Sequence, residues 1–175
     1  DNYNRVYIAS DATLYVPKGT KDSYLTIEGW NMFADIIEGE LKEITVDGLN
    51  YTYIDGKGIA TVIGRANEEL RNITIPGSIA IGGSNYTVKE VGVGAFRNCG
   101  IDTLIIQEGV EKISREAFRG NWGNLRSVPL PKSLRTIGDN AFNSYPNKSN
   151  DVRQLKVSEN ITNIGENAMR SFSSV

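Results

Sequence analysis

Hydrophobic residues recur in a fixed order along the second half of the chain. Four segments share the form I-x-x-x-A-F, namely VGVGAF at Val91–Phe96, ISREAF at Ile113–Phe118, IGDNAF at Ile137–Phe142 and IGENAM at Ile164–Met169. Each follows a ladder of aliphatic residues with the same spacing, which in the second unit consists of Ile101, Leu104, Ile106, Val110 and Ile113. Seven matched positions in four units indicate an internal repeat.

The distance between units varies, whereas the spacing inside them does not. Extra residues lie at Asn121–Gly123 and Ser144–Asp151, which are rich in Asn, Gly, Ser or Pro. The first unit carries a longer insertion that includes GGSN at Gly82–Asn85, and this insertion predicts a hairpin tip. Stacked repeats tolerate insertions at turns and not in their strands, so the pattern favours a stack.

The ladders predict short strands with one buried face. Segments such as IDTLII and LRSVPL are typical of strands. One such strand cannot bury that face alone, whereas strands stacked about 4.8 Å apart form a continuous aliphatic column. The segments VKEV, VEKI, LRTI and ITNI predict a second strand in each unit. The A-F stretch predicts a short helical turn whose aromatic ring fills the interior, with Met169 as the filler in the fourth unit.

Several of these motifs resemble the BspA-type leucine-rich repeat family of bacterial surface proteins. The matching segments are ITIP at Ile73–Pro76, FRNC at Phe96–Cys99 and PLPKSLRTIGDNAF at Pro129–Phe142, and the resemblance covers most of Leu49–Val175. It implies a β-rich α/β solenoid, a leucine-rich-repeat-like right-handed coil of short strands and short helical turns. Residues 70–175 would then hold about four repeats, the last one incomplete. The resemblance also implies an extracellular or cell-surface location and binding to host proteins.

Residues 41–69 predict a cap for the first repeat. The run Ile44–Gly64 contains β-prone segments separated by Asp47-Gly48 and Asp55-Gly56, both typical of tight turns. We therefore expect a small antiparallel meander that covers the first repeat. The segment DGKG at Asp55–Gly58 lacks the phosphate-loop pattern and is interpreted as a turn.

Residues 1–40 have a different pattern. Ala12–Pro17 predicts a strand, and the apolar spacing over Lys21–Ile37 predicts an amphipathic helix interrupted by Gly29. This region resembles the terminating unit of a BspA-type array. We expect the chain to be a fragment that holds the end of one array and most of the next. The alternative is self-association, in which one copy completes the open C-terminal repeat of another.

Composition narrows the classes of function. The 175 residues carry a net charge of −2 with a pI near 5.3, so we expect no nucleic-acid partner. The chain has no apolar run of the length that a membrane span needs. It has no histidine, and its single cysteine, Cys99, is interpreted as a small buried apolar group. Carboxylates are scattered without a metal-loop pattern. We therefore predict a non-enzymatic protein with no catalytic residue, cofactor or metal.

The residues between the inward-facing ladder positions form columns that point outward. We predict partner-binding candidates among them and in one aromatic loop, namely Arg71, Asp102, Ile105, Arg126, Arg153, Lys156 and Trp122. The columns predict a polar, mildly basic ribbon on which Ile105 and Pro129 are apolar contact points. Solenoids bind along such faces, and arginine is favoured at binding hot spots. An ordinary solvated strand face remains the alternative interpretation.

Three functions stay open at this point. The first is a secreted or surface-attached bacterial module that binds a protein ligand, for which the resemblance implies a host extracellular protein. The second is a carbohydrate-binding accessory that uses loop aromatics such as Trp122 and Tyr145. The third is a purely structural spacer.

Overall fold

The computed structural model describes residues 13–27, 30–33, 35–121, 127–143, 154–156 and 159–170. The chain divides into two compact units, one comprising residues 1–42 and 54–56 and the other residues 43–53 and 57–175. The elements in chain order are β1 (Thr13–Val16), helix α1 (Lys21–Leu25), a 3₁₀ turn (Trp30–Met32), β2 (Asp35–Glu38), β3 (Lys42–Val46), β4 (Leu49–Tyr53), β5 (Ile59–Arg65), β6 (Asn72–Ile75), β7 (Ser78–Ile81), β8 (Ser84–Val91), β9 (Thr103–Ile106), β10 (Lys112–Ile113), β11 (Ser127–Pro129), β12 (Thr136–Ile137), β13 (Gln154–Lys156) and β14 (Asn163–Ile164).

Three consecutive strands precede the repeats and lie side by side in one sheet. Strands β3, β4 and β5 follow one another in the sheet, and their turns contain Asp47-Gly48 and Asp55-Gly56. Strand β5 then pairs in parallel with β8, which belongs to the first repeat. These three strands are therefore continuous with the repeats through one sheet of order β14-β12-β10-β8-β5-β4-β3, to which β7 is added through β8. That they cap the first repeat stays a prediction.

Parallel strands of successive repeats lie side by side in two sets. The first set contains the β6–β9 ladder, in which Ile73 is opposite Leu104, and the β11–β13 ladder, in which Val128 is opposite Leu155. The second set contains β8, β10, β12 and β14, with Ile113 paired to Ile137. The equivalent positions therefore face each other in register, as the hydrophobic spacing predicts.

The buried core consists mainly of these ladder positions. The ladder residues of the second repeat are all buried, namely Ile101, Leu104, Ile106, Val110 and Ile113. The aromatic rings of Phe96, Phe118 and Phe142 are buried as well, and Met169 packs against the core from a partly buried position. The single cysteine, Cys99, is partly buried against the same core. Hydrophobic burial on this scale is the main source of folding free energy.

The A-F segments fold as hydrogen-bonded turns, so the predicted short helical turns are wrong. The described residues of the repeats hold no helical element, and only Arg170 has a 3₁₀ conformation. The residue before the alanine has a positive φ in all four units, with values of 63° at Gly94, 58° at Glu116, 55° at Asn140 and 53° at Asn167. A left-handed residue cannot continue a right-handed helix. The fold is therefore strand-rich with almost no helix, rather than α/β.

Backbone hydrogen bonds join the turns of neighbouring repeats. The N–H groups of Phe96 and Phe118 donate to the carbonyl oxygens of Ala117 and Ala141 at 2.7 and 2.8 Å. Because the alanines are buried and small, the turns approach closely enough for these bonds. Each repeat is thus bonded to the next at the turns as well as at its strands.

The compact unit that comprises residues 1–42 and 54–56 contains the predicted strand β1 but not the predicted long helix. Helix α1 ends at Leu25, and residues 35–38 form β2, which pairs in parallel with β1. Ile36 is buried opposite Leu14, so pairing with another strand outweighs the helical spacing of the apolar residues. β-branched residues such as Ile36 and Ile37 also favour strands.

Candidate functional site

The β6–β9 ladder has one buried face and one exposed face. Burial alternates along both strands, so Ile73 and Leu104 lie inside while Thr74 and Ile105 lie outside. We call the exposed residues of this ladder the outer strand face; they are Asn72, Thr74, Thr103 and Ile105. A strand has a side-chain period of two, which is why the columns could be predicted from the sequence.

A side-chain hydrogen bond holds part of this face in place. The Thr103 hydroxyl donates to the Asn72 amide oxygen over 2.7 Å, across the two strands. Thr103 is β-branched, so its χ1 angle is restricted as well. The polar end of the outer strand face is therefore ordered before any partner binds.

Ile105 provides an apolar contact point beside this polar pair. Its side chain is 51% exposed, although it lies in the middle of a ladder whose opposite face is dry. The ladder partner at this position is Thr74, whose side chain is also exposed. In the β11–β13 ladder Pro129 is exposed and lies opposite Lys156. Pro129 thus faces outward within a regular strand pairing.

Arg71 and Asp102 lie next to one another at the start of the ladder. The backbone N–H of Asp102 donates to the carbonyl oxygen of Arg71 over 2.9 Å. Arg71 is exposed and Asp102 is half-buried. Within the described part of the chain, no hydrogen bond or ion pair holds the Arg71 guanidinium. This cation is therefore free to meet an anionic or carbonyl group of a partner.

The remaining predicted site residues are not tested by the structure. Arg126, Arg153, Trp122 and Tyr145 lie outside the described residues. Lys156 is described only as part of strand β13. Their roles stay predictions.

A carboxylate at the end of the first strand set ties two repeats together. Glu108 accepts hydrogen bonds from the backbone N–H groups of Lys132 and Ser133 at 2.8 and 3.0 Å. These hydrogen bonds hold the pKa of Glu108 below its ordinary value, and the bond from Lys132 contributes most. The Ser133 hydroxyl in turn donates to the carbonyl oxygen of Val110 over 2.7 Å. We call these bonds to Glu108 the Glu108 clamp. The sequence Gln107-Glu108-Gly109 carries no pattern from which it could be predicted.

Charges on the turn side of the repeats are largely paired. The Glu116 carboxylate bridges the guanidinium groups of Arg97 and Arg119 at 2.9 and 2.8 Å. On the second strand set, Lys89 pairs with Glu111. These charges are therefore paired within the fold, in contrast to the Arg71 guanidinium just before strand β6.

The described residues contain no group of three His, Cys, Asp or Glu side chains that could hold a metal ion. Among them there is also no helix with the length and apolar character that crossing a membrane requires. Burial raises the pKa of the Cys99 thiol, and its sulfur donates to the carbonyl oxygen of Arg97 at 3.6 Å. Cys99 is therefore held as a neutral thiol and not as a reactive thiolate.

Comparison with known families accounts for the repeats. The sequence model described as a BspA type leucine-rich repeat region matches residues 65–175 with six copies. The chain belongs to the BspA type leucine-rich repeat family. The match begins at Arg65, at the end of β5, so it includes all the strands from β6 onward. No curated protein is significantly similar to this repeat protein in sequence.

Solved structures of bacterial leucine-rich repeat proteins resemble the chain. A Treponema pallidum leucine-rich repeat protein is 19% identical, with a TM-score of 0.50, over 77% of this chain and 69% of its own. A Bacteroides ovatus leucine-rich repeat protein is 22% identical, with a TM-score of 0.45, over 71% of this chain. The chain spans 38% of the length of that protein. The likeness to the T. pallidum protein supports the leucine-rich repeat fold.

Proposed function

We propose that this BspA type repeat protein is a non-enzymatic module that binds a protein ligand through its outer strand face. The observation that carries the proposal is the exposure of Ile105 on the ordered β6–β9 ladder and of Arg71 directly before its first residue. The exposed isoleucine offers apolar contact, and the unpaired guanidinium near the start of the same ladder offers a directed hydrogen-bond donor. Binding hot spots combine the same two features, and arginine is enriched in them.

The shape of this face suits a large ligand. Its side chains stand on strands paired in parallel, so they are spaced along a rigid row rather than gathered in a cleft. Repeat proteins use such rows as extended binding surfaces. A protein ligand is large enough to contact many of these exposed side chains at once, whereas a small molecule would contact only a few of them.

A glycan ligand has less support. The described residues of the outer strand face are Asn, Thr and Ile, with Pro129 in the adjoining ladder, and none is aromatic. Sugar rings pack best against flat aromatic side chains. The glycan alternative depends on Trp122 and Tyr145, so protein binding is the better supported function.

We also propose that the repeats wind as a right-handed solenoid whose successive turns extend the outer strand face. The support is that successive repeats are bonded through the second strand set and at the A-F turns, and through the first strand set in the β6–β9 and β11–β13 ladders. A coil with three bonded sides keeps equivalent residues in columns. In this arrangement Arg126 and Arg153 would continue the column that begins at Arg71, and Lys156 would continue that of Ile105.

The location we propose is the bacterial surface or the extracellular medium, since that is where the family's implied role is exercised. The ligand would accordingly be a host extracellular protein. Self-association through the C-terminal repeat stays a prediction, and the mass of the protein in solution tests it directly.

The experiment is a binding assay against a panel of purified extracellular-matrix and plasma proteins. Arg71→Ala and Ile105→Ser are compared with the unaltered chain. The matched control is Val93→Ser, because Val93 is a 64% exposed aliphatic residue of the turn side. We expect each face variant to weaken binding about tenfold, which corresponds to about 1.4 kcal/mol, while Val93→Ser binds like the unaltered chain.

Two results would contradict this function. If no panel member binds the unaltered chain, the structural spacer becomes the better account. If a protein binds but all three variants bind it equally well, the outer strand face is not the site. Thermal unfolding of each variant shows whether a loss of binding reflects a loss of fold.

A further inference from the structure

Strand β7 is an addition to the repeat pattern, and the described residues of the other repeats hold no equivalent strand. It occupies residues 78–81, within the insertion of the first repeat, and pairs with β8 as an antiparallel hairpin. The loop is the two-residue pair Gly82-Gly83, with φ values of 56° and 82°. Two left-handed residues form the type I′ turn that matches the twist of a hairpin. The strand is therefore rigidly held at its loop.

The hydrogen-bonding phase of the hairpin shows which backbone groups point away from β8. The N–H of Val88 donates to the carbonyl oxygen of Gly77 over 2.9 Å. Residues alternate along an antiparallel pair, so Ile79 and Ile81 also direct their backbone groups toward β8. The N–H and C=O groups of Ser78 and Ala80 consequently point to the opposite edge.

This edge is open within the described part of the protein. Strand β7 pairs only with β8 there, and the side chains of Ser78 and Ala80 are exposed. Its sequence, SIAI, has no charge and no proline. Natural proteins protect an open edge with charged residues or proline. Strand β7 has neither device, and it presents two donors and two acceptors.

The surroundings keep the edge accessible and fixed in position. Strand β8 pairs with β5 on one side and with both β7 and β10 on the other. The outer edge of β7 therefore faces in the same direction as the edge of β10 that pairs with β12. The N–H of Gly77, at the start of β7, donates to the Gln107 side chain over 3.3 Å. Strand β7 is thus held at one end by its two-residue loop and, next to its other end, by the bond from Gly77 to the side chain of the following repeat.

We propose that the outer edge of β7 binds an extended polypeptide segment, which adds to the sheet as a further strand. The segment would exchange backbone hydrogen bonds with Ser78 and Ala80. Its side chains on one face would lie beside the buried Ile79 and Ile81 and should be apolar, whereas those on the other face would lie beside small exposed residues. This mode of recognition takes its affinity from the backbone and its specificity from alternate side chains. The site is separate from the outer strand face.

The test uses a phage-displayed library of linear twelve-residue peptides selected on the unaltered protein. Selected peptides are measured against Ala80→Pro, which removes the outward N–H group and places a ring on the edge. The matched control is Ala80→Val, which keeps that N–H group and suits a strand. We expect Ala80→Pro to weaken binding at least tenfold and Ala80→Val to change it less than twofold.

Amide hydrogen exchange on the unaltered protein keeps the test decisive even if Ala80→Pro perturbs the hairpin. A bound peptide should slow exchange at the amides of Ser78 and Ala80, which are open in the free protein. The proposal is overturned if the library yields no binding peptide, or if Ala80→Pro binds the peptides as well as Ala80→Val does. It is also overturned if the bound peptides leave Ser78 and Ala80 unprotected. Peptides sensitive to Ile105→Ser alone would support the outer strand face and contradict the β7 site.

Discussion

The ring of Phe118 lies 5.5 Å from that of Phe96, and the two planes are within 5° of parallel. Phe142 continues the stack at 5.2 Å and 12°. Parallel rings pack well only when their backbones repeat the same geometry, which the hydrogen bonds between the turns ensure. The recurrence of A-F in the sequence therefore corresponds to one continuous aromatic column inside the protein.

Truncation of the middle ring should destabilise the protein strongly. Phe118→Ala removes a buried ring that contacts both neighbours, and such truncations lower the free energy of unfolding by about 3–5 kcal/mol. Phe118→Met should lower it by less than about 1.5 kcal/mol, since methionine fills irregular gaps and occurs at the equivalent position of the fourth repeat, Met169. Urea unfolding measures both values. Equal losses for the two variants would argue against a close-packed column.

Gly138 should not tolerate a side chain. A Cβ atom there would lie 2.6 Å from the backbone nitrogen of Arg115 in the preceding repeat. Because the neighbouring atoms are backbone, they cannot move aside easily, and we expect Gly138→Ala to lower the free energy of unfolding by about 1–3 kcal/mol. Chemical denaturation checks this value. An unchanged unfolding midpoint would show that the repeats are farther apart than described.

The left-handed residue before each alanine should restrict substitution at that position. Asn140 has a φ of 55°, and its amide oxygen accepts a hydrogen bond from Asn143 at 2.7 Å. Glycine adopts this conformation freely, alanine loses about 1–2 kcal/mol, and a β-branched residue loses more. We expect the melting temperature to be highest for Asn140→Gly, lower for Asn140→Ala and lowest for Asn140→Val. A glycine variant less stable than the alanine variant would contradict the left-handed turn.

The Glu108 clamp should make stability depend on pH in the acid range. The folded protein holds the pKa of Glu108 below its ordinary value, so the unfolded chain binds this proton more readily. The clamp therefore stabilises the fold fully above the ordinary glutamate pKa of about 4.3, and its contribution fades as the pH falls through the lowered value. Glu108→Gln should melt at a lower temperature than the unaltered chain at pH 7, and the gap should close in acid. A gap that is independent of pH would rule out the charged clamp.

Much of the repeat fold follows from spacing that can be read along the chain. The positions of Leu104, Ile113 and Phe118 repeat from unit to unit, so their burial and mutual stacking could be predicted. The helix predicted over Lys21–Ile37 is wrong because apolar residues at helical spacing also occur in a short helix followed by a strand. Only the pairing of β2 with β1 distinguishes the two, and it depends on residues more than 20 positions apart.

The candidate surfaces also differ in how far the sequence alone predicts them. Alternation along a strand places Ile105 outside whenever Leu104 is inside, so the outer strand face is a local property. The hydrogen bonds that Lys132 and Ser133 donate to Glu108 depend on how closely two repeats approach. The open edge of β7 depends on which strands pair with β8, and no local pattern specifies that.

The register of the first strand set is the claim on which the proposed surface depends, and engineered disulfides test it most directly. With Cys99 replaced by alanine, cysteines are introduced at Thr74 and Ile105, which are directly opposite in the β6–β9 ladder. A second variant pairs Thr74 with Thr103, on the same face but two residues away. Free-thiol titration and mass measurement after mild oxidation report the bond. We predict rapid closure for the Thr74–Ile105 pair and slow or no closure for the Thr74–Thr103 pair; closure of the second pair in preference to the first would contradict the stacking of these repeats.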